Sequence, residues 1–164
     1  MGVSGSGKST LASALASRLG CPLIEGDDYH SAANVAKMHA GHALDDSDRW
    51  PWLDRLGAAI GTASAETGIA VAACSALKRS YRERLQAASD VPLAFALLDT
   101  RPDELARRLE TRTGHYMPAS LLGSQLATLE RPGVGERALI LDAARTPDVL
   151  CAQVLAWIEG PDTR

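Results

Sequence analysis

Aromatic residues, cysteines and long apolar runs are all scarce in this chain of 164 residues. Aromatic side chains make up only 4% of it, so the core has to be built mainly from Leu, Val, Ile and Ala. The cysteines, Cys21, Cys74 and Cys151, lack CxxC spacing, and their small odd number argues for a reducing compartment rather than a disulfide framework or a zinc site. No run approaches the roughly 18 apolar residues of a membrane span, and no signal peptide is visible. We therefore expect a cytoplasmic protein with no membrane partner.

An excess of positive charge is also lacking. The formal net charge is −3 at pH 7, from 17 Lys and Arg against 20 Asp and Glu. Because nucleic-acid binders normally carry a basic face, this balance argues against nucleic acid as a partner. The length suits one domain with a sizeable core and is too short for two ordinary ones. We expect a single domain over residues 1–164.

Short apolar runs alternate with helical patterns along the chain, which is typical of βαβ units around a parallel sheet. The expected fold is therefore α/β, with a parallel sheet between layers of helices and a small lid at about 112–120. Strands are predicted at 22–24, 69–74, 93–98 and 138–141. Helices are predicted at 9–19, 31–40, 51–67 and 78–87, then from 100–102 onward, at about 118–129, and from 147 to 158.

A match to a phosphate-binding loop stands close to the start of the chain. Residues 2–9 read G-V-S-G-S-G-K-S, which fits G-x-x-x-x-G-K-[ST] in full. Glycines let backbone N–H groups point at phosphate oxygens, and the helix that follows presents its positive end to the same anion. Lys8 is suited to the β- and γ-phosphates, and the Ser9 hydroxyl to Mg²⁺. The alternative is a flexible Gly/Ser loop that matches by chance, which the amphipathic helix after it disfavours. The predicted nucleotide-binding residues are Gly2, Val3, Ser4, Gly5, Ser6, Gly7, Lys8, Ser9 and Thr10.

One expected element is missing in front of this loop. A strand normally leads into a phosphate loop and lies in the middle of the sheet, yet only Met1 precedes Gly2 here. We therefore expect the true start to lie upstream, in an apolar run of about five or six residues, the usual length of a strand.

Two carboxylates follow the first predicted strand. Glu25 and Asp27 lie two positions apart, so their side chains leave on the same face, beside the phosphate loop. One can hold Mg²⁺ through water while the other accepts the proton of an acceptor hydroxyl. The alternative is that a polar strand end merely caps the next helix. Since no aspartate ends the strand 69–74, metal binding is predicted at Ser9 and Glu25.

Arginines are expected to neutralise the phosphoryl group during transfer. Arg108 and Arg112 are spaced i, i+4 and share one helix face, next to the glycine-bearing loop of the predicted lid. A lid there would bring them over ATP and exclude water. The alternative is a solvated arginine-rich face balanced by Glu104 and Glu110.

Besides the phosphate loop, the chain carries a series of further motif blocks: Glu25-Gly26-Asp27 with His30, Asn34, Lys37-Met38, Gly41, Leu44-Asp45-Asp46, Asp48-Arg49, Pro51-Trp52-Leu53, Cys74-Ser75-Ala76-Leu77-Lys78, Arg112-Thr113-Gly114-His115, Gln125, and Leu129-Glu130-Arg131-Pro132. Together they resemble the bacterial gluconate kinases, a branch of the shikimate-kinase-like P-loop kinases, over nearly the whole chain. The resemblance implies phosphorylation of D-gluconate to 6-phosphogluconate with ATP and Mg²⁺, Asp27 as the catalytic base, Glu25 as the metal helper, and usually a homodimer.

A polyhydroxy carboxylate requires hydrogen-bonding partners for its hydroxyls and a fixed cation for its carboxylate. Ser75 and Lys78 follow a buried strand, at the edge where parallel sheets bind ligands. Lys78 suits either the acceptor's carboxylate or a phosphate, and His115 either touches the acceptor or is simply exposed. The predicted acceptor residues are Asp27, His30, Asn34, Lys37, Arg49, Ser75, Lys78 and His115.

Other functions remain open at this point. The acceptor could be another small hydroxy acid such as shikimate, or a nucleoside monophosphate. A nucleotide acceptor would favour an aromatic-lined pocket that stacks on the base, and this chain has one Phe. A non-catalytic ATP-binding protein would retain Lys8 but lack the base and the lid, and the presence of Asp27 and Arg112 argues against it.

Overall fold

Parallel strands alternate with helices in the computed structural model, which describes residues 1–110 and 121–160. The strands are β1 (Leu23–Glu25), β2 (Val71–Ala73), β3 (Phe95–Asp99) and β4 (Ala138–Asp142). The helices are α1 (Lys8–Leu19), α2 (Ala32–His39), α3 (Asp46–Thr67), α4 (Arg79–Ser89), α5 (Pro102–Glu110), α6 (Leu122–Thr128) and α7 (Pro147–Glu159), and a 3₁₀ helix, Gly26–Tyr29, follows β1. The α/β prediction is confirmed. Within the described residues, no helix is long and apolar enough to cross a bilayer.

The strands form two parallel pairs, with the entrance to the phosphate loop between them. β1 pairs with β2, and β3 pairs with β4. The Met1 carbonyl accepts from the Leu98 N–H over 3.0 Å, and the Gly2 N–H donates to the Ser75 carbonyl over 3.2 Å. The backbone that enters the loop therefore lies in the middle of the strand order, the place expected for the strand that precedes such a loop. That strand itself stays a prediction.

The start of α3 is where the sequence prediction was wrong by the most. Helix α3 begins at Asp46, not at Pro51, because Asp45 and Asp48 form a reciprocal capping box in front of it. Hydrogen bonds from Ser47, from the Asp48 N–H and from Lys37 hold the pKa of Asp45 well below its ordinary value. Proline suits the first turn of a helix, which made Pro51 the expected start, but the cap extends the helix by a further turn.

Two glycines bring α3 and α4 into direct backbone contact. A Cβ at Gly57 would lie 2.6 Å from the Cβ of Ala88, and one at Gly61 would lie 2.2 Å from the Ser89 carbonyl oxygen. Neither position has room for a side chain. The core beside this contact comes mainly from one face of α3 and from α4, and includes Trp52, Leu53, Leu56, Ile60, Tyr81 and Leu85.

A buried arginine ties the segment after α6 to the end of β2. The Arg82 guanidinium is 2% exposed and binds Glu136, with Nη2 3.0 Å from Oε1. Its Nη1 also donates to the carbonyls of Leu77 and Glu130, over 3.2 and 3.1 Å. Because a buried guanidinium is costly unless its donors are satisfied, this set of partners holds residues 130–136 in one place.

Candidate active site

A cavity of about 350 Å³ opens at the carboxyl ends of β1 and β2. This edge of a parallel α/β sheet is where such folds bind their ligands. The polar residues that line it come from the phosphate loop, the start of α1, the end of β1 and the segment after it, the segment after β2, and helices α3, α5 and α6: Ser4, Lys8, Ser9, Thr10, Glu25, Asp27, His30, Arg49, Ser75, Arg108, Ser124 and Gln125. The structure therefore brings most of the residues predicted from separate motifs into one space.

The phosphate loop has the backbone shape that its glycines permit. Gly5 and Gly7 have φ of 82° and 95°, in the left-handed region that other residues rarely adopt. Lys8 begins α1 and its Nζ lies 3.0 Å from the Val3 carbonyl oxygen. Val3 itself is buried in the core, 2% exposed, so it supports the loop from behind rather than lining the cavity. The loop and the positive end of α1 thus border the same space, which suits an anion.

An oxygen donor pair lies at the edge of the loop. The Ser9 hydroxyl donates to Oε2 of Glu25 over 3.0 Å, and both residues line the cavity. Mg²⁺ prefers oxygen ligands, and typically takes one or two from a protein and the rest from phosphates and water. Among residues 1–110 and 121–160 there is no cluster of three or more His, Cys, Asp or Glu side chains that could hold a metal alone. The donor set therefore fits a magnesium ion that accompanies a nucleotide.

Asp27 and His30, which follow β1, line the same cavity. Asp27 is exposed at the cavity surface within the 3₁₀ helix. The imidazole of His30 stacks on the indole of Trp52, with ring centroids 4.4 Å apart and planes 15° apart. Trp52 is fully buried and donates from Nε1 to the Gly26 carbonyl over 2.7 Å. Burial lowers the pKa of His30 to about 4, against the opposing attraction of Asp27. His30 therefore faces the cavity as a neutral ring at pH 7.

The low pKa of His30 predicts a pH dependence of stability. An unfolded histidine has a pKa near 6.5, so below that pH protons bind the unfolded chain more readily than the native one. The folding stability that depends on a neutral His30 is fully present above pH 6.5 and is lost as the pH falls towards 4. After allowance for its partial exposure, we expect this loss to reach roughly 2 kcal/mol. Urea unfolding of the parent and of His30→Gln, at pH 7 and at pH 4.5, measures it.

The variant should lose less stability than the parent between the two pH values. His42→Gln, the same exchange at an exposed histidine, is the matched control. Equal losses in the parent and in His30→Gln would contradict the prediction.

Arg49 is a buried cation at the cavity wall. Its side chain belongs to α3, is 9% exposed, and its guanidinium lies 5.5 Å from the centroid of the Tyr81 ring. In the described part of the chain, its Nε has no hydrogen-bond partner. The Tyr81 hydroxyl in turn donates to Asp46, which also accepts from Lys78 over 2.7 and 3.0 Å. Arg49 is thus held by stacking while it keeps a donor for a ligand.

Three predicted acceptor residues are directed at the start of α3 rather than into the cavity. Lys37 forms ion pairs with Asp45 and Asp48. The Asn34 amide donates to the Asp48 carbonyl over 2.9 Å, and Lys78 is paired with Asp46 as described. All three bind residues 45–48, which immediately precede Arg49. Their contacts here support the segment that carries the buried arginine.

Arg108 lines the cavity from α5. Its Nε donates to Glu104 over 2.6 Å, and its Nη2 donates to the Ala143 carbonyl over 3.1 Å. The predicted lid at about 112–120, with Arg112 and His115, lies outside the described residues. Gln125 is a site residue to which the motifs assigned no role: it is on α6, far along the chain, and its Oε1 lies 2.6 Å from the Ser4 nitrogen. No local pattern indicates that contact.

Comparisons with known proteins agree with this geometry. A family model described as an AAA domain matches residues 1–132. A gluconokinase of Gluconobacter oxydans (strain 621H) is 48% identical over 162 residues, which cover 99% of this chain and 90% of that protein. The thermosensitive gluconokinase of Escherichia coli (strain K12) is 43% identical over 142 residues, which cover 85% of this chain and 74% of that protein.

Solved structures give the same result. A gluconokinase from Sinorhizobium meliloti 1021 is 46% identical with a TM-score of 0.82, and the match covers 97% of this chain and 89% of that one. A sugar kinase from Janibacter sp. HTCC2649 is 41% identical with a TM-score of 0.90, and the match covers 99% and 94% of the two chains. These matches confirm the resemblance carried by the sequence motifs. The chain belongs to the gluconokinase family of P-loop kinases.

Proposed function

We propose that this protein transfers the γ-phosphoryl group of ATP to a hydroxyl of D-gluconate and releases ADP and 6-phosphogluconate. The observation that carries the proposal is the shared cavity, in which the phosphate loop faces Asp27 and Arg49. Asp27 accepts the proton of the gluconate hydroxyl while the oxygen of that hydroxyl forms a bond to the γ-phosphorus. The bond between that phosphorus and the β,γ-bridging oxygen breaks, and its electron pair leaves with ADP. The proton then passes from Asp27 to solvent, which restores the carboxylate for the next turnover.

Cationic side chains surround the group that is transferred. Lys8 and Arg108 neutralise the phosphates, since phosphoryl transfer depends more on positioning and charge than on covalent chemistry. Ser9 and Glu25 are the residues suited to hold Mg²⁺, whose charge, when it is bound, stabilises the β- and γ-phosphate oxygens. Arg112 is proposed to add a further cation from the predicted lid, with the same role as Arg108.

The part of the cavity formed by His30, Arg49 and Ser75, here called the acceptor wall, selects a polyhydroxy acid. Arg49 pairs with the carboxylate, because it is the buried cation of the wall and is already oriented by Tyr81. The neutral ring of His30 and the Ser75 side chain bind hydroxyls. We assign Lys37, Asn34 and Lys78 to support of the segment before Arg49. His115, in the predicted lid, remains a predicted acceptor residue.

The remaining proposals concern the setting of the enzyme. A small soluble substrate and a reducing compartment suit a cytoplasmic protein that acts as one domain with its lid. The homodimer implied by the family stays a prediction, which analytical ultracentrifugation of the purified protein measures directly.

An acceptor panel tests the function. Purified protein with Mg·ATP is given gluconate, shikimate, a nucleoside monophosphate or no acceptor, and the products are identified by mass. We expect a product about 80 Da heavier than gluconate, which is the mass of the HPO₃ gained when one hydroxyl is phosphorylated. Asp27→Asn protein, prepared in parallel, is the control for a contaminating kinase. Turnover of shikimate or a nucleotide without turnover of gluconate would overturn the acceptor assignment, and ATP binding without any turnover would favour a non-catalytic protein.

A further inference from the structure

One peptide group of the phosphate loop, between Val3 and Ser4, is held at both of its polar ends. Its N–H donates to Oε1 of Gln125 over 2.6 Å, and its carbonyl oxygen accepts from Nζ of Lys8 over 3.0 Å and from the Ser6 N–H over 3.3 Å. Because the N–H and C=O of a trans peptide lie in one plane and point in opposite directions, fixing one end fixes the other. Gln125, a side chain from outside the loop, therefore sets the direction of the carbonyl that meets Lys8 together with the Ser6 N–H inside the loop.

The bond to Gln125 lies in a place where water cannot substitute for it. Ser4 is 7% exposed and Gln125 is 6% exposed. A buried N–H that loses its acceptor costs more than an exposed one, since no solvent replaces the lost bond. Without the Gln125 oxygen, the peptide gains by rotating its N–H towards the polar cavity. The same rotation would turn the Val3 carbonyl away from Lys8.

Gln125 is presented from a firmly anchored helix. The partly buried side chains of Leu122 and Leu126 on α6 pack against the core residues Val3 and Leu105. Just after α6, the Glu130 N–H donates to the Leu77 carbonyl over 2.9 Å. Arg82 binds both of these residues through their carbonyl oxygens, as described above. The helix is thus fixed to the end of β2, and Gln125 reaches the loop from a rigid support.

We propose that Gln125 is a positioning residue for phosphoryl transfer, which acts on Lys8 through the Val3–Ser4 peptide. By holding that peptide in one orientation, Gln125 keeps the Lys8 ammonium at the mouth of the loop before nucleotide arrives. The lysine then reaches the phosphates without a prior rearrangement of the backbone. This inference rests on the proposed kinase function only in that the ligand is ATP.

A double-mutant cycle separates this role from a merely structural one. Gln125→Met keeps the side-chain length and removes the acceptor oxygen. We expect it to weaken Mg·ATP binding about tenfold when Lys8 is present, and less than twofold in a Lys8→Ala background. Calorimetric titration gives the dissociation constants, and thermal-shift titration with millimolar nucleotide extends the range for the Lys8→Ala proteins. A residue that only stabilises the fold would cause the same loss in both backgrounds.

Two further variants keep the test decisive. Gln125→Asn retains a polar amide but shortens its reach by one methylene, and it should reproduce the cycle if Gln125→Met fails to fold. Thr128→Val is the matched control, because among residues 1–110 and 121–160 the Thr128 hydroxyl on the same helix donates only to the Ser124 carbonyl within α6, over 2.7 Å. It should leave the dissociation constant within about twofold. Equal losses in both Lys8 backgrounds, or no loss with Lys8 present, would overturn the proposal. Because ATP binding is measured, absence of gluconate turnover would count against the proposed function alone.

Discussion

Asp27→Asn protein should bind Mg·ATP almost as tightly as the parent while its kcat with gluconate falls about a thousandfold. Asparagine has nearly the same size as aspartate but cannot accept the hydroxyl proton. Asp27 lines the same cavity as the phosphate loop, and within the described residues it makes no ion pair that the exchange would break. Steady-state kinetics with gluconate, together with calorimetric titration of Mg·ATP, separates the loss of turnover from a loss of binding.

The residue next to it provides a control of equal charge. Asp28 lies in the same 3₁₀ helix and is exposed, but it does not line the cavity. Asp28→Asn should therefore keep kcat within about twofold of the parent. If Asp27→Asn retained more than about a tenth of the parent's kcat, another group would have to be the base.

Arg49→Met protein should lose about a hundredfold in kcat/KM for gluconate, mostly through KM. Methionine fills much of the volume of the arginine stem but cannot pair with a carboxylate, and a buried hydrogen bond to a charged group is worth roughly 1.5–3 kcal/mol. Arg49→Lys keeps the charge without the planar donor pair, so we expect an intermediate value. Kinetics with gluconate, and with the hexitol that lacks its carboxylate, measures the effect.

The comparison of the two acceptors identifies the contact. The parent should prefer gluconate strongly over the hexitol, and Arg49→Met should lose most of that preference. Arg84→Met removes an exposed arginine that pairs with Asp54 on the outer surface, and it is the matched control. A preference that survives in Arg49→Met would show that a different cation binds the carboxylate.

The order of strands and helices could be predicted because it depends on local patterns. Apolar runs and helical spacing placed the described elements with ends no more than two residues from those observed, apart from the starts of α3 and α6. That helix starts earlier because Asp45 and Asp48 cap each other, a pair of short-range contacts that outweighs the usual preference of Pro51 for a first turn. The motif was visible in the sequence, but proline dominated the prediction.

The candidate site was predictable where its residues share a motif, and not where they depend on the tertiary fold. Ser9 and Glu25 meet because a phosphate loop and the end of the next strand lie side by side in this fold. By contrast, the spacing of Asn34 and Lys37 gave no sign that both would bind the start of α3. The contact of Gln125 with Ser4 spans 121 positions in the sequence, and no periodicity encodes a pairing of that kind.

The glycine contact between α3 and α4 has a consequence for the acceptor wall. Gly61 is twelve residues beyond Arg49, about 18 Å along the same helix. Gly57 and Gly61 pack directly on α4, so a side chain at either position would force the two helices apart. The Arg49 guanidinium, which is proposed to bind gluconate, therefore lies near one end of a closely packed pair of helices. A larger residue at Gly61 would tilt α3 relative to α4 and so displace the Arg49 guanidinium, although the altered residue does not lie near the substrate.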